Sequence, residues 1–135
     1  MSKSIENKIN VSVIIKKAVN LILTENKGKK IKAILLFGSH ADKTATKRSD
    51  IDICVLFKNE VTLRDATAFR IKVLGKLPPI VDLQVFNILP IKLKKSISDN
   101  HKILFKDKEF NEFNFNLINQ KLFFENKRKM AALGV

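Results

Sequence analysis

Residues Leu35–Phe57 read LLFGSHADKTATKRSDIDICVLF, and the reading of this stretch decides the fold. The apolar run Ile34-Leu35-Leu36-Phe37 stops at Gly38-Ser39. Ten residues later comes Asp50-Ile51-Asp52, followed by a second apolar run, Ile53–Phe57. The pattern predicts a strand, a phosphate-binding turn, a short helix, and a second strand carrying two carboxylates. Side chains alternate along a strand, so Asp50 and Asp52 share one face. With no basic residue between them they repel, and a hard divalent cation is the usual partner that relieves such a pair.

Gly38 ends the first strand because a residue without Cβ reaches backbone angles closed to others and lets a ligand approach the backbone. Ser39 supplies a hydroxyl and an N–H at the start of a helix, where unpaired N–H groups favour phosphate. A polyphosphate held there lies close to carboxylates able to hold Mg²⁺, which suits transfer of a phosphorus group. A third carboxylate comes from Ile80–Phe86, IVDLQVF, a further strand with Asp82 and Gln84 on one face. An Asp in so apolar a run is costly unless it is paired or ligating.

Gly38-Ser39, Asp50-Ile51-Asp52 and Asp82 together resemble the minimal nucleotidyltransferases (MNT), small members of the DNA polymerase β-like superfamily. The resemblance runs from about Ile31 to Phe105. It implies that Asp50, Asp52 and Asp82 bind two Mg²⁺ ions, and that Asp82 also helps to activate the incoming hydroxyl. It implies that Gly38 and Ser39 hold the nucleoside triphosphate, ATP as substrate, with Ser49 matching the family's Ser-Asp pair. The family pattern Gly-Ser-x-Ala-Arg-Gly is replaced here by Gly38-Ser39-His40-Ala41-Asp42-Lys43. Lys43, Lys47 and Arg48 are the candidates for the positive charge the missing Arg would supply. The small size resembles the antitoxin half of HEPN–MNT toxin–antitoxin pairs, in which the enzyme adenylylates a tyrosine of a HEPN ribonuclease toxin. Two other readings stand beside it: a partner-binding module without catalysis, and a small-molecule nucleotidyltransferase of the aminoglycoside-modifying type.

At 135 residues and 45% apolar composition the chain is long enough for one domain with a real core. We expect 1–108 to form the nucleotidyltransferase domain and 109–135 an amphipathic helical extension of it. No apolar run is long enough to span a membrane, and the N-terminus lacks a signal peptide's pattern. The one cysteine, Cys54, reads as a buried inert thiol, and a reducing cytoplasm is expected. The net charge of +13 favours polyanionic partners. The aromatics are all phenylalanine and read as core, which argues against sequence-specific nucleic-acid binding. Oligomerisation is left open.

The other elements follow from periodicity. Residues 1–8 read as polar and frayed. Asn10 or Ser12 caps a helix to about Asn26, with Gly28 as terminator and Lys29, Lys30 and Lys32 as a solvated edge. Thr62 caps a helix with Asp65 three residues on and a buried stripe through Leu63, Ala66, Phe69, Val73, Leu74 and Leu77. Pro90 opens a helix to Ser98, and His101–Phe105 makes a last short strand. His101, alone at a turn, gives no basis for a metal role. From Glu109 to Met130 one long amphipathic helix is predicted, its stripe running through Phe110, Phe113, Leu117, Ile118, Lys121 and Phe124. Phe115, Leu122 and Phe123 lie off that stripe. Either the helix packs back on the sheet or part of it is a protein interface. The expected fold is α/β and polymerase β-like: a mixed sheet of about four strands with flanking helices, mainly on one side, and a long C-terminal helix.

Overall fold

The computed structural model describes residues 3–26, 30–46 and 49–134, with backbone only for 3–9. Gly28, Lys29, Lys47 and Arg48, invoked above, lie outside the described residues. The order is α1 (Lys3–Thr24), β1 (Ile31–Phe37), α2 (Ser39–Asp42), β2 (Ile51–Phe57), α3 (Leu63–Leu74) and β3 (Val81–Val85). A 3₁₀ turn at Phe86–Ile88, then α4 (Ile91–Asp99), β4 (Lys102–Lys106) and α5 (Glu112–Ala132) complete it. The sheet order is β3-β2-β1-β4, with β2 parallel to β3 and the other pairs antiparallel. The expected α/β fold with a mixed four-stranded sheet and a long C-terminal helix is what forms.

Parallel β2 and β3 need a crossover, and α3 provides it. Thr62 caps α3 by accepting from the Asp65 N–H at 3.1 Å. Arg70 donates through Nε to the Leu83 carbonyl at 2.6 Å, which serves an acceptor on edge strand β3. Just past the end of β3, the Asn87 side chain takes the place of a strand beside β2. Its Oδ1 accepts from the Phe57 N–H, and its Nδ2 donates to the Phe57 and Asn59 carbonyls.

Three expectations are corrected. Helices cover both faces of the sheet. One core joins α1 and α3 to Ile34, Leu36, Ile51, Ile53 and Leu83; the other joins α4 and α5 to Ala33, Leu35, Cys54 and Phe86. Strands this apolar on alternate residues in both phases need cover on both sides. Second, α1 begins at Lys3, ahead of the Asn10 and Ser12 caps. Third, α5 turns a different side inward. Phe115 and Asn119 are buried, whereas Phe113, Leu117, Ile118 and Phe124 are exposed. The inward side was chosen by a cluster that gathers before the helix begins: Phe115 packs on Phe86, Phe110 and His101 with ring centroids 5.0–5.8 Å apart. Asn111 caps the helix by accepting from the Asn114 N–H, so the register starts there and not at Glu109.

Candidate active site

Strand alternation settles which side the carboxylates occupy. Ile51, Ile53, Val81 and Leu83 face α1 and α3, so Asp52, Asp82 and Gln84 face the side of α4 and α5. Asp52 and Asp82 are register partners on the parallel pair β2–β3, which puts neighbouring side chains about 4.8 Å apart across the ladder. Both are half-buried, and Asp50, just ahead of β2, is exposed. The Asp52 carboxyl is held above its ordinary value by partial burial and then by the like charges of Asp82 and Asp50. His40 acts on it in the opposite sense. The three aspartates singled out in the sequence are therefore electrostatic neighbours. Among the described residues, no three His, Cys, Asp or Glu side chains are drawn tightly enough to hold an ion.

Gly38 sits against this pair. Its φ is +71°, and a Cβ there would lie 2.3 Å from Asp52 Oδ2. Phe37 and Asp52 are register partners, so the turn leaves β1 directly over the Asp52 carboxylate. Only glycine fits, both for its backbone angle and for the contact. Ser39 opens α2, a single turn of four residues.

The replaced family residues have local work. Lys43 has φ +64°, a left-handed conformation that favours glycine, which accounts for a glycine at this place in the family pattern. Asp42 braces it: Oδ1 accepts from the Thr44 N–H at 3.0 Å and from the Thr44 hydroxyl. Those bonds hold the Asp42 carboxyl below its ordinary value. Ser49 Oγ accepts from the Thr46 N–H at 2.9 Å, and His40 Nε2 lies 3.3 Å from the Ser49 carbonyl oxygen. The turn and the approach to Asp50 are thus tied together. Lys43, His40 and Ser49 also border a cavity on the α1 side, with Lys16 and Lys102 at its rim. Asp52 and Asp82 are not among its lining residues.

Sequence reading gave no role to Gln84. Its Nε2 donates to Asp82 Oδ2 at 3.1 Å, which leaves Oδ1 as the carboxylate atom free of this bond. Its place two residues beyond Asp82 on a strand was the available signal. Cys54 is fully buried, and burial pushes its thiol far up, so it stays protonated.

A sheet that sets a strained Gly-Ser turn against two in-register aspartates defines a phosphorus-transferring enzyme of the nucleotidyltransferase class. The family model described as Polymerase beta, Nucleotidyltransferase matches residues 17–110, and the chain belongs to that family. A Methanocaldococcus jannaschii protein with the provisional name protein adenylyltransferase MJ1547 is 41% identical over 78 residues. The match spans 58% of this chain and 58% of that relative, so the chain accounts for little more than half of the relative's length. The fold is shared with solved toxin–antitoxin structures. One, with AMP-PNP, superposes at a TM-score of 0.68 and 22% identity, covering 87% of this chain and 93% of that one. Another holds a tri-AMPylated Shewanella oneidensis HEPN toxin in complex with an MNT antitoxin; it superposes at 0.68 and 21%, covering 90% and 93%.

Proposed function

We propose that the chain transfers AMP from ATP to a hydroxyl on a partner protein, a tyrosine of a HEPN-type toxin, and so acts as an antitoxin. The observation that carries the chemistry is the Asp52–Asp82 register pair beneath Gly38. The partner is suggested by the names of the relative and of the toxin–antitoxin neighbours. The single cysteine, buried as a free thiol, agrees with a reducing cytoplasm as the setting.

The donor set fits Mg²⁺. Asp50, Asp52 and Asp82 are acceptor-only oxygens, and the like-charge strain on Asp52 is what a hard divalent cation relieves. Two bound ions would neutralise the phosphate oxygens and the developing charge. Asp50, exposed just ahead of β2, would be the third donor. Gly38 and Ser39 hold the phosphates of ATP, with Ser49 bracing the loop and Lys43 at its rim adding positive charge. The acceptor oxygen forms a bond to the α-phosphorus as the bond to the bridging oxygen breaks. Pyrophosphate leaves, and the hydroxyl proton passes to Asp82 Oδ1, the oxygen not engaged by Gln84.

The test incubates the purified chain with α-labelled ATP, Mg²⁺ and a lysate of its own organism, beside an Asp50→Asn/Asp52→Asn variant. A labelled protein band is expected, reduced at least about 100-fold in the variant. Its mass identifies the acceptor. Equal labelling by the variant overturns the assignment.

A further inference from the structure

The side of α5 left open has an ordered pattern. Phe113, Leu117, Lys121, Phe124 and Arg128 follow one another at steps of four, four, three and four, so they form one line along the helix. Phe113 is 74% exposed, Leu117 52% and Phe124 47%, and both cations are exposed. The opposite side, through Phe115 and Asn119, is the one that α5 buries. The α4–α5 layer covers the same sheet face that carries Asp52 and Asp82. A macromolecule seated along α5 is thus on the same side of the sheet as the carboxylates.

Charge selects among occupants. The line has two cations and no acid, on a chain of net charge +13, so a second copy would bring like charges together. A membrane-surface helix separates apolar and cationic residues onto opposite sides. Here Lys121 and Arg128 lie in line with the phenylalanines, and Ile118 and Leu122 are exposed off that line. Of the long helices α5 is the least one-sided. What complements it is a protein face with an apolar groove and two carboxylates about 10 Å apart, the span of seven helical residues.

We propose that this line of α5 is the docking surface for the acceptor protein, recognised as an acidic, apolar-grooved face. The inference rests on the protein-nucleotidylation reading above and adds where the acceptor binds. Docking on α5 holds a large substrate on the carboxylate side of the sheet.

The test repeats the lysate labelling with Leu117→Glu/Phe124→Glu and with Lys121→Glu/Arg128→Glu. Ile71→Glu is the control, since Ile71 is 68% exposed on α3, the helix that covers the other sheet face. Circular dichroism and equilibrium binding of labelled ATP verify that fold and nucleotide binding persist. Both α5 variants are expected to lower labelling of the aspartate-dependent band at least about tenfold, while Ile71→Glu labels normally. Undiminished labelling by both α5 variants overturns the docking surface and leaves the catalytic reading standing. So does a wild-type dimer in sedimentation that the variants dissociate, or co-sedimentation with phosphatidylserine vesicles that they lose. No aspartate-dependent band from the wild type overturns both readings.

Discussion

The turn between β1 and β2 and the helix α5 both carry regular sequence patterns, and the fold treats them in opposite ways. At the turn, the decisive contact is made within one antiparallel pair of consecutive strands: Gly38 ends β1 and lies on Asp52 of β2, the register partner of Phe37. In α5, the most regular apolar line faces solvent, and a less regular one is buried. A local pattern predicts its surroundings when its own residues form those surroundings. Where the pattern is a surface waiting for a neighbour, periodicity states that a face exists but not which neighbour takes it.

The contrast breaks most sharply at two phenylalanines two residues apart, on opposite sides of α5. Phe115→Ala, which empties a cluster shared with Phe86, Phe110 and His101, is expected to cost about 3 kcal/mol. Phe113→Ala, at a side chain 74% exposed, is expected to change stability by less than about 0.5 kcal/mol. Urea denaturation reads both, and equal losses would mean that α5 is seated the other way round.

A second pair sharpens the account of the turn. Gly38 and Gly134 have φ of +71° and +75°, but a Cβ at Gly134 meets nothing within 4 Å. Gly38→Ala is expected to cost about 2–3 kcal/mol from backbone angle plus contact. Gly134→Ala, near the end of the chain, should cost about 1 kcal/mol or less. The difference in denaturation midpoints isolates the pressure of the turn on Asp52.

The smallest effect concerns Asp52 itself. Its carboxyl is held above the ordinary value of 3.8, so protons bind the folded state more tightly than the unfolded chain. The stability this group contributes is complete below 3.8 and is lost as pH rises through the raised folded value. Without metal, Asp52→Asn is therefore expected to melt about 2–4 °C above the wild type at neutral pH, less than about 1 kcal/mol after solvent screening. The gap should close in acid. A gap that stays constant from acid to neutral pH would show that the neighbouring carboxylates do not strain Asp52.

Much of the fold was legible because its signals were local. β1, Ile31–Phe37, ends at Phe37 where the apolar run Ile34–Phe37 stops, and Thr62 caps α3 through the Asp65 N–H. Asp52 and Asp82 were recognisable as charges embedded in strands, where carboxylates need a reason to be, with Asp50 just ahead of the first of them. The roles of Gln84, Arg70 and Asn87 were not legible. Arg70 and Asn87 act across 13 and 30 residues of sequence, and no periodicity encodes a hydrogen bond to a distant backbone atom. Gln84 shares its face with Asp82, but only the rotamer seen in the fold turns its amide onto the carboxylate. In sequence the Asp42-Lys43 departure read as a missing positive charge; in the fold it is a braced left-handed turn.

By itself, then, the sequence determined the strands, the Gly-Ser turn, the three aspartates and the class of chemistry, because each is written in residue type and short spacing. Tertiary structure decided that helices cover both sheet faces, that Asp52 and Asp82 stand in register, and which side of α5 is buried. Those outcomes depend on strand order and on packing between segments far apart in the chain. Burial free energy rewards whichever face finds a complementary neighbour, and a neighbour is not a property of the segment that needs one.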